Sequence, residues 1–235
     1  LKPARARTFF NWSTGKDSAL ALYHLQRNQD YQVDCLLTSV NAAHDRVSMH
    51  GLRREFMLAQ AAALGLPLRT IELPEQPDMA LYEGRMVEAV SSLRAAGYTH
   101  AAFGDIFLED LRRYREQQLA TLGINAVFPL WQRDTGQLMR EFIALRFKAV
   151  VVCVNTDVLD ASFAGRLVDE SFLADLPPAV DPCGENGEFH TFCFAGPIFS
   201  REIRFRLGKK VLREYRSPTG GAERTAFCFC DLILA

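Results

Sequence analysis

The chain has 235 residues, 49% of them apolar and 23% charged, with a formal net charge of −1. That balance is ordinary for a globular protein with a sizeable core, long for one domain and short for two full ones. It gives no overall electrostatic case for nucleic-acid binding, and no apolar run reaches the ~18 residues of a membrane span, so neither nucleic acid nor membrane is expected as a partner.

The first seven residues are basic but lack a signal peptide's apolar core and cleavage site, and they lead directly into a strand pattern at 8–12. The run Ser13-Thr14-Gly15-Lys16-Asp17-Ser18 follows, and a helical pattern covers 16–27. A strand, a tight Gly-containing turn and a helix start are the parts needed to hold an anion, because the first helical turn has unpartnered N–H groups and the positive end of the helix dipole. Lys16 and the hydroxyls of Ser13 and Ser18 add to that, and the run reads as a phosphate or pyrophosphate site. A Walker loop is excluded: its first Gly would fall on Phe10, and Asp17 stands where Ser or Thr belongs. A plain capping box, Thr14 with Asp17, explains two residues and leaves four unused.

Strands at 33–40, 68–73 and 100–104 alternate with helices at 52–64, 79–96 and 108–122. The helix patterns end near Asn28, Gly65, Gly97 and Gly123. Strands joined by crossover helices predict a parallel sheet covered on both faces, whose ligands sit at the carboxyl ends of the strands. The 13–18 turn, the 39–41 stretch and Gly104-Asp105 all lie at such ends. The pattern changes after 128–131. A helix at 136–146, a strand at 150–154 and strand-like runs at 188–195, 201–207, 210–215 and 227–234 predict a smaller α+β lobe. The expected organisation is a nucleotide-binding domain over 1–128 and a substrate-binding lobe over 129–235.

A second chemical cluster is Asp181-Pro182-Cys183-Gly184-Glu185-Asn186-Gly187-Glu188-Phe189-His190-Thr191. Asn-Gly signals a two-residue hairpin. In that register Glu185 opposes Glu188 and Cys183 opposes His190, all on one face. Opposed carboxylates repel by ~0.2–1 kcal/mol, which a cation or amine between them would relieve. Cys183 facing His190 is read as a packed thiol or, less simply, a nucleophile–base pair. The six cysteines (35, 153, 183, 193, 228 and 230) form no C-x-x-C pair and predict buried free thiols in a reducing cytoplasm.

These residues carry a resemblance. The 13–18 run resembles the S-G-G-K-D-S loop of the PP-loop ATP pyrophosphatases (adenine nucleotide alpha hydrolase-like), with Thr14 in place of the first Gly. The 184–191 run resembles the G-E-G-G-E-[YF]-E-T signature of one PP-loop branch, the diphthine–ammonia ligase family. Its Asn186 and His190 resemble the form in bacterial relatives of uncertain substrate. Ser48-Met49-His50-Gly51 is similar to that family's M-H-G segment, and Gly104-Asp105-Ile106 to its G-D-I. Together the matches run along almost the whole chain.

The resemblance implies a Rossmann-like (HUP-type) parallel sheet followed by the α+β lobe, and a cytoplasmic enzyme using ATP and Mg²⁺. ATP phosphates would lie on Ser13, Thr14, Gly15, Lys16, Asp17 and Ser18, with His50 and Gly104 near the nucleotide. Asp17 and Asp105 would hold Mg²⁺. A small-molecule or protein-attached carboxylate would be adenylated with release of pyrophosphate and then joined to ammonia or an amine. Lys16 would offset charge on the leaving pyrophosphate, Asp105 would hold metal or substrate, Glu185 and Glu188 would hold ammonium, and Glu188 or His190 would take its proton. One of Arg112, Arg113 and Arg115 would reach a phosphate, the others forming a solvated face. A homodimer is compatible with all of this. The alternatives are a nucleotide sensor without turnover, a PP-loop tRNA-thiolation enzyme, and a kinase or hydrolase cleaving at the γ-phosphate.

Overall fold

The computed structural model describes residues 4–43, 45–47, 51–75, 77–216 and 224–235. Strand β1 (Ala6–Asn11) is central, and neighbouring side chains on it enter two different cores. Phe10 packs with helix α1 (Lys16–Arg27) and with Ala61 of α2 (Arg54–Leu64). Phe9 packs with α3 (Met79–Ala95) and α4 (Glu109–Thr121). This is the alternation of a strand covered on both faces.

β1 pairs in parallel with β2 (Tyr31–Asn41) on one side and β5 (His100–Ala102) on the other. β4 (Leu68–Leu73) lies outside β2, and β6 (Asn125–Val127) lies outside β5, both parallel. A two-residue strand, β3 (Arg46–Val47), pairs antiparallel with the end of β2. The chain therefore moves one way from β1 through β2 to β4, then crosses back to β5 and β6. The direction reverses between β1 and β5, and a crevice opens there at the carboxyl ends of the strands.

The second half is a four-stranded antiparallel sheet in the order β8-β7-β10-β9. Its strands are β7 (Lys148–Asn155), β8 (Phe189–Ala195), β9 (Phe205–Arg216) and β10 (Arg224–Leu234), with helices α5 (Thr135–Ala144) and α6 (Glu170–Asp175) beside them. β7 is buried from Ala149 to Val154. One core runs from Phe10 and Trp12 through α1 to Val151, Phe189 and Cys193, so the two sheets share their packing.

The expected parallel sheet with helices on both faces and the smaller C-terminal lobe are both present, and three details differ. The strand-like runs at 201–207 and 210–215 give one strand, β9, which starts only at Phe205. Gly208 does not break it but lies where the β9–β10 register slips, and a Cβ there would be 3.1 Å from the Asp231 carbonyl oxygen. β3, β6 and α6 were not anticipated, being too short for a periodic pattern. The third difference, at residues 181–188, belongs to the site.

Candidate functional site

The turn from β1 to α1 stands over the crevice. Trp12 N–H donates to the Leu37 carbonyl, continuing the sheet one step beyond β1. The chain then reverses through Thr14 at φ +73°, a left-handed conformation that costs a β-branched residue ~1–2 kcal/mol. Thr14 is fully buried, and its carbonyl accepts from the backbone N–H of Cys193 at 3.0 Å. Gly15 is the N-cap of α1 and makes no side-chain cap bond, so the capping-box reading of Thr14 and Asp17 does not hold. The Ser13 and Ser18 hydroxyl oxygens are 2.7 Å apart, closing the turn.

Gln60 of α2 holds this turn and was not singled out in the sequence. It is fully buried. Its Oε1 accepts from the Trp12 indole at 2.8 Å, and its Nε2 donates to the Thr14 carbonyl at 2.9 Å and the Cys193 carbonyl at 2.6 Å. An interior Gln in an apolar helical face was the available signal, since a buried amide needs partners.

Lys16 is 3% exposed. Its backbone N–H donates to Thr191 Oγ1 at 3.1 Å, so that amide is already engaged. Its ammonium donates to both Asp17 oxygens, at 2.9 and 2.8 Å, and to the Cys183 carbonyl. Burial alone would favour the neutral amine, but the Asp17 carboxylate that it hydrogen-bonds outweighs burial and holds Lys16 protonated. Lys16 therefore ties the phosphate-type turn to residues 181–187.

Those residues do not form the expected hairpin. β8 begins at Phe189 and pairs with β7, with Cys153 opposite His190. The preceding stretch folds on its own side chains. Asp181 Oδ2 accepts from the N–H groups of Cys183 and Glu185, both at 3.0 Å. Glu188, 5% exposed, accepts from Asp181 N at 3.0 Å, Asn186 N at 2.9 Å and Asn186 Nδ2 at 3.1 Å. Gly184 and Gly187 take φ of +68° and +85°. Local carboxylate-to-backbone bonds thus replace the strand pairing that Asn-Gly suggested. The expected facing of Glu185 with Glu188, and of Cys183 with His190 across a hairpin, is corrected accordingly. The Cys183 thiol points to the Thr135 carbonyl at 3.4 Å, and burial pushes its pKa far up, as expected of a packed thiol. All six cysteines are buried and unpaired.

Glu185 crosses the crevice instead. Its Oε1 accepts from Ile106 N at 2.7 Å, just beyond Gly104-Asp105. Burial raises its pKa to about 7, with Asp17 and Asp105 adding to the rise, while the Ile106 bond and Lys16 oppose it. His190 is pushed down to about 4 by burial and then by Lys16, so it is neutral at pH 7.

Gly104 packs on the first turn of α1: a Cβ there would lie 2.9 Å from Ser18 N. Asp105 Oδ1 accepts from Arg115 Nη2 at 3.2 Å, and burial raises the Asp105 pKa while Arg115 opposes the rise. Arg112 lies over Trp131 and Phe128, and Arg113 pairs with Glu109 and Asp110 on the helix surface. His50 lies outside the described residues.

Ser13, Gly15, Lys16, Asp17, Ser18, Gly104, Asp105, Glu185 and His190 all line one cleft of about 630 Å³. Thr14 supports it from behind, and Glu188 shapes its rim. The cleft has room for a nucleotide and its cationic end is Lys16. Mg²⁺ fits less well. Asp17 gives both oxygens to Lys16, Asp105 gives one to Arg115, and no group of three metal-type side chains gathers among the described residues.

A family model described as the diphthamide synthase N-terminal domain matches residues 6–126, and its C-terminal counterpart matches residues 134–219. The chain belongs to the diphthamide synthase family, within the PP-loop superfamily. A diphthine–ammonia ligase of Homo sapiens is 29% identical over 160 residues, 63% of this chain and 60% of that protein. The Mus musculus protein of that name is 34% identical over 102 residues, 41% of this chain and 38% of its own length. The Schizosaccharomyces pombe protein is 23% identical over 195 residues, 79% of this chain and 31% of its own length. The chain thus spans between 31% and 60% of the length of these relatives. No helix among the described residues is long and apolar enough to cross a membrane.

Proposed function

We propose that this protein is an ATP-dependent, AMP-forming ligase that converts a carboxylate to an amide. The observation that carries the reading is the junction at Lys16, where a strand–turn–helix anion site is bonded to the Cys183 carbonyl, two residues before Glu185, a carboxyl in the same cleft whose pKa is raised to about 7. Membership of a family whose curated relatives are named diphthine–ammonia ligases supports it.

ATP is the co-substrate. Its β- and γ-phosphates lie at the 13–18 turn, against the start of α1. A substrate carboxylate oxygen attacks the α-phosphorus, the bond to the β-phosphate oxygen breaks, and pyrophosphate leaves. Lys16 stabilises the charge on that leaving group from a water-poor position, where a fixed ammonium acts strongly. Ammonia then attacks the acyl carbon, the bond to AMP breaks, and nitrogen gives up a proton. Glu185 is the base for that proton: near pH 7 it is part ionised, which suits a group that must take and release a proton in each turnover. Neutral His190 is a second acceptor in the cleft. Glu188 supports Glu185 by fixing the turn. No step is routed through a metal.

The test is the product pair. Pyrophosphate and AMP appearing in equal amounts with ammonia and a carboxylate support the reading, and ADP with phosphate sinks it. Lys16→Met is expected to lower pyrophosphate release at least a hundredfold while the protein remains folded.

A further inference from the structure

Strand β9 ends the sheet order β8-β7-β10-β9, so its outer edge has no partner among the described residues. Every side chain from Lys209 to Tyr215 is exposed, on both faces of the strand. Three of them are large and apolar, Val211, Leu212 and Tyr215, with Leu212 61% exposed. A long open edge with exposed apolar side chains is a template for another strand, which proteins commonly guard with Lys and other charges. Lys209, Lys210, Arg213 and Glu214 are the charges here. Whether they guard the edge or specify its partner depends on what each would face.

The nearest candidate is a second copy of β9. A two-fold axis pairs the strand antiparallel with itself. N–H and C=O point outward at alternate residues, so only a register that sets one residue opposite its own counterpart brings the outward groups together. Seven such registers centre within 209–215. With Lys209, Lys210, Arg213 or Glu214 on the axis, a charge faces itself. With Val211 there, Lys209 faces Arg213. With Tyr215 there, no other residue of the stretch is paired.

Leu212 on the axis is different. Lys210 then faces Glu214 twice, once on each side of the facing leucines and on their face of the sheet. On the other face Arg213 lies opposite Val211, and Lys209 opposite Tyr215. No like charges meet, and the cationic stems lie along apolar or aromatic neighbours. Glu214 is able to take the contact: Arg224 donates to its Oε2 at 3.0 Å, which leaves Oε1 for Lys210 of the second copy.

We propose that β9 is the interface of a two-fold homodimer, paired antiparallel about Leu212, which joins the two four-stranded sheets into one. The charges on the edge set the register of that pairing. The interface also reaches the main cleft, because Phe227, opposite Arg213 on β10, lines it.

Sedimentation velocity on the full chain tests association, and oxidative cross-linking reads the register. The wild type is expected to sediment as a dimer at micromolar concentration. Lys210→Glu and Glu214→Lys each turn both facing pairs into like charges, and each is expected to weaken association at least tenfold. Mixed together, the two variants set acid against base at both pairs and are expected to regain the dimer. All six native cysteines are buried, so Leu212→Cys adds an exposed thiol. It would meet its own counterpart with Cα atoms about 4.5–5.5 Å apart, within disulfide reach, and is expected to cross-link on mild oxidation. Lys209→Cys, which faces Tyr215, is not. The substituted side chains are all exposed, and circular dichroism checks that each variant is folded. A wild type that stays monomeric overturns the proposal and leaves the edge to an unlike partner. Single charge variants that dimerise like the wild type also overturn it. So does a mixture that stays monomeric, or equal cross-linking of Leu212→Cys and Lys209→Cys.

Discussion

Gln60 Nε2 donates to the carbonyl of Thr14, 46 residues away, and holds it in the left-handed region at φ +73°. The same amide bonds the Trp12 indole and the Cys193 carbonyl. The anion-type turn is therefore fixed from three elements rather than by its own glycine. Gln60→Leu removes all three bonds and strands buried donors and acceptors at ~1–3 kcal/mol each. Chemical denaturation should show a loss of at least about 3 kcal/mol on that basis. At Thr14 itself the usual order inverts: Thr14→Gly should be more stable than Thr14→Ala by about 1 kcal/mol, since only Gly takes this conformation without strain. An alanine variant as stable as the glycine variant would show that φ strain is not stored there.

Glu188 is predicted to act on structure first. Both its oxygens accept hydrogen bonds, from Asp181 N and Asn186 Nδ2 on one and from Asn186 N on the other. A Gln at this position must turn an NH₂ group toward one of these donors. Glu188→Gln should therefore destabilise by ~1–3 kcal/mol, the cost of leaving a buried donor unsatisfied, and Glu188→Ala, which loses all three bonds, by more. A thermal melt in which Glu188→Gln matches the wild type would contradict this and return Glu188 to direct chemistry.

Much of this was legible beforehand, for identifiable reasons. The alternation of strand and helix around β1 is a repeated periodic signal, and the 13–18 turn is a dense local motif. The 181–188 turn departs from a hairpin because Asn-Gly carries only a local preference. What decided its shape was Asp181 and Glu188 capturing nearby N–H groups while β8 paired with β7 instead. Gln60 was missed because its three partners come from Trp12, Thr14 and Cys193, and no spacing in the chain relates them.

Gly104 is predicted to be intolerant of any side chain. A Cβ would meet Ser18 N at 2.9 Å and the Asp17 carbonyl carbon at 3.1 Å, all backbone, with no flexible end to move aside. Gly104→Ala should shift the first turn of α1 away from β5. Pyrophosphate release should fall at least tenfold, with a much smaller change in melting temperature. Crystallography of the variant would check the shift directly, and an unmoved α1 would contradict it.

Glu185 should give the protein a pH signature. Its pKa rises from the ordinary glutamate value of 4.5 to about 7 in the folded state. The folded state therefore binds this proton more tightly than the unfolded chain. The stabilisation is fully present below pH 4.5 and is lost as pH rises through about 7. Glu185→Gln keeps an oxygen for the Ile106 N–H and cannot ionise. Relative to wild type, it should gain stability as pH is raised from 5, with the difference growing steepest between 4.5 and 7 and levelling off above about 7. Its activity should move the opposite way. If Glu185 takes the proton from ammonia, wild-type turnover rises through an apparent pKa near 7, and Glu185→Gln loses both the rise and most of the rate. Denaturation curves and pH–rate profiles on the same two proteins separate the effects. A wild-type profile flat between pH 5 and 8 would remove Glu185 as the base, and equal stability slopes would remove its raised pKa.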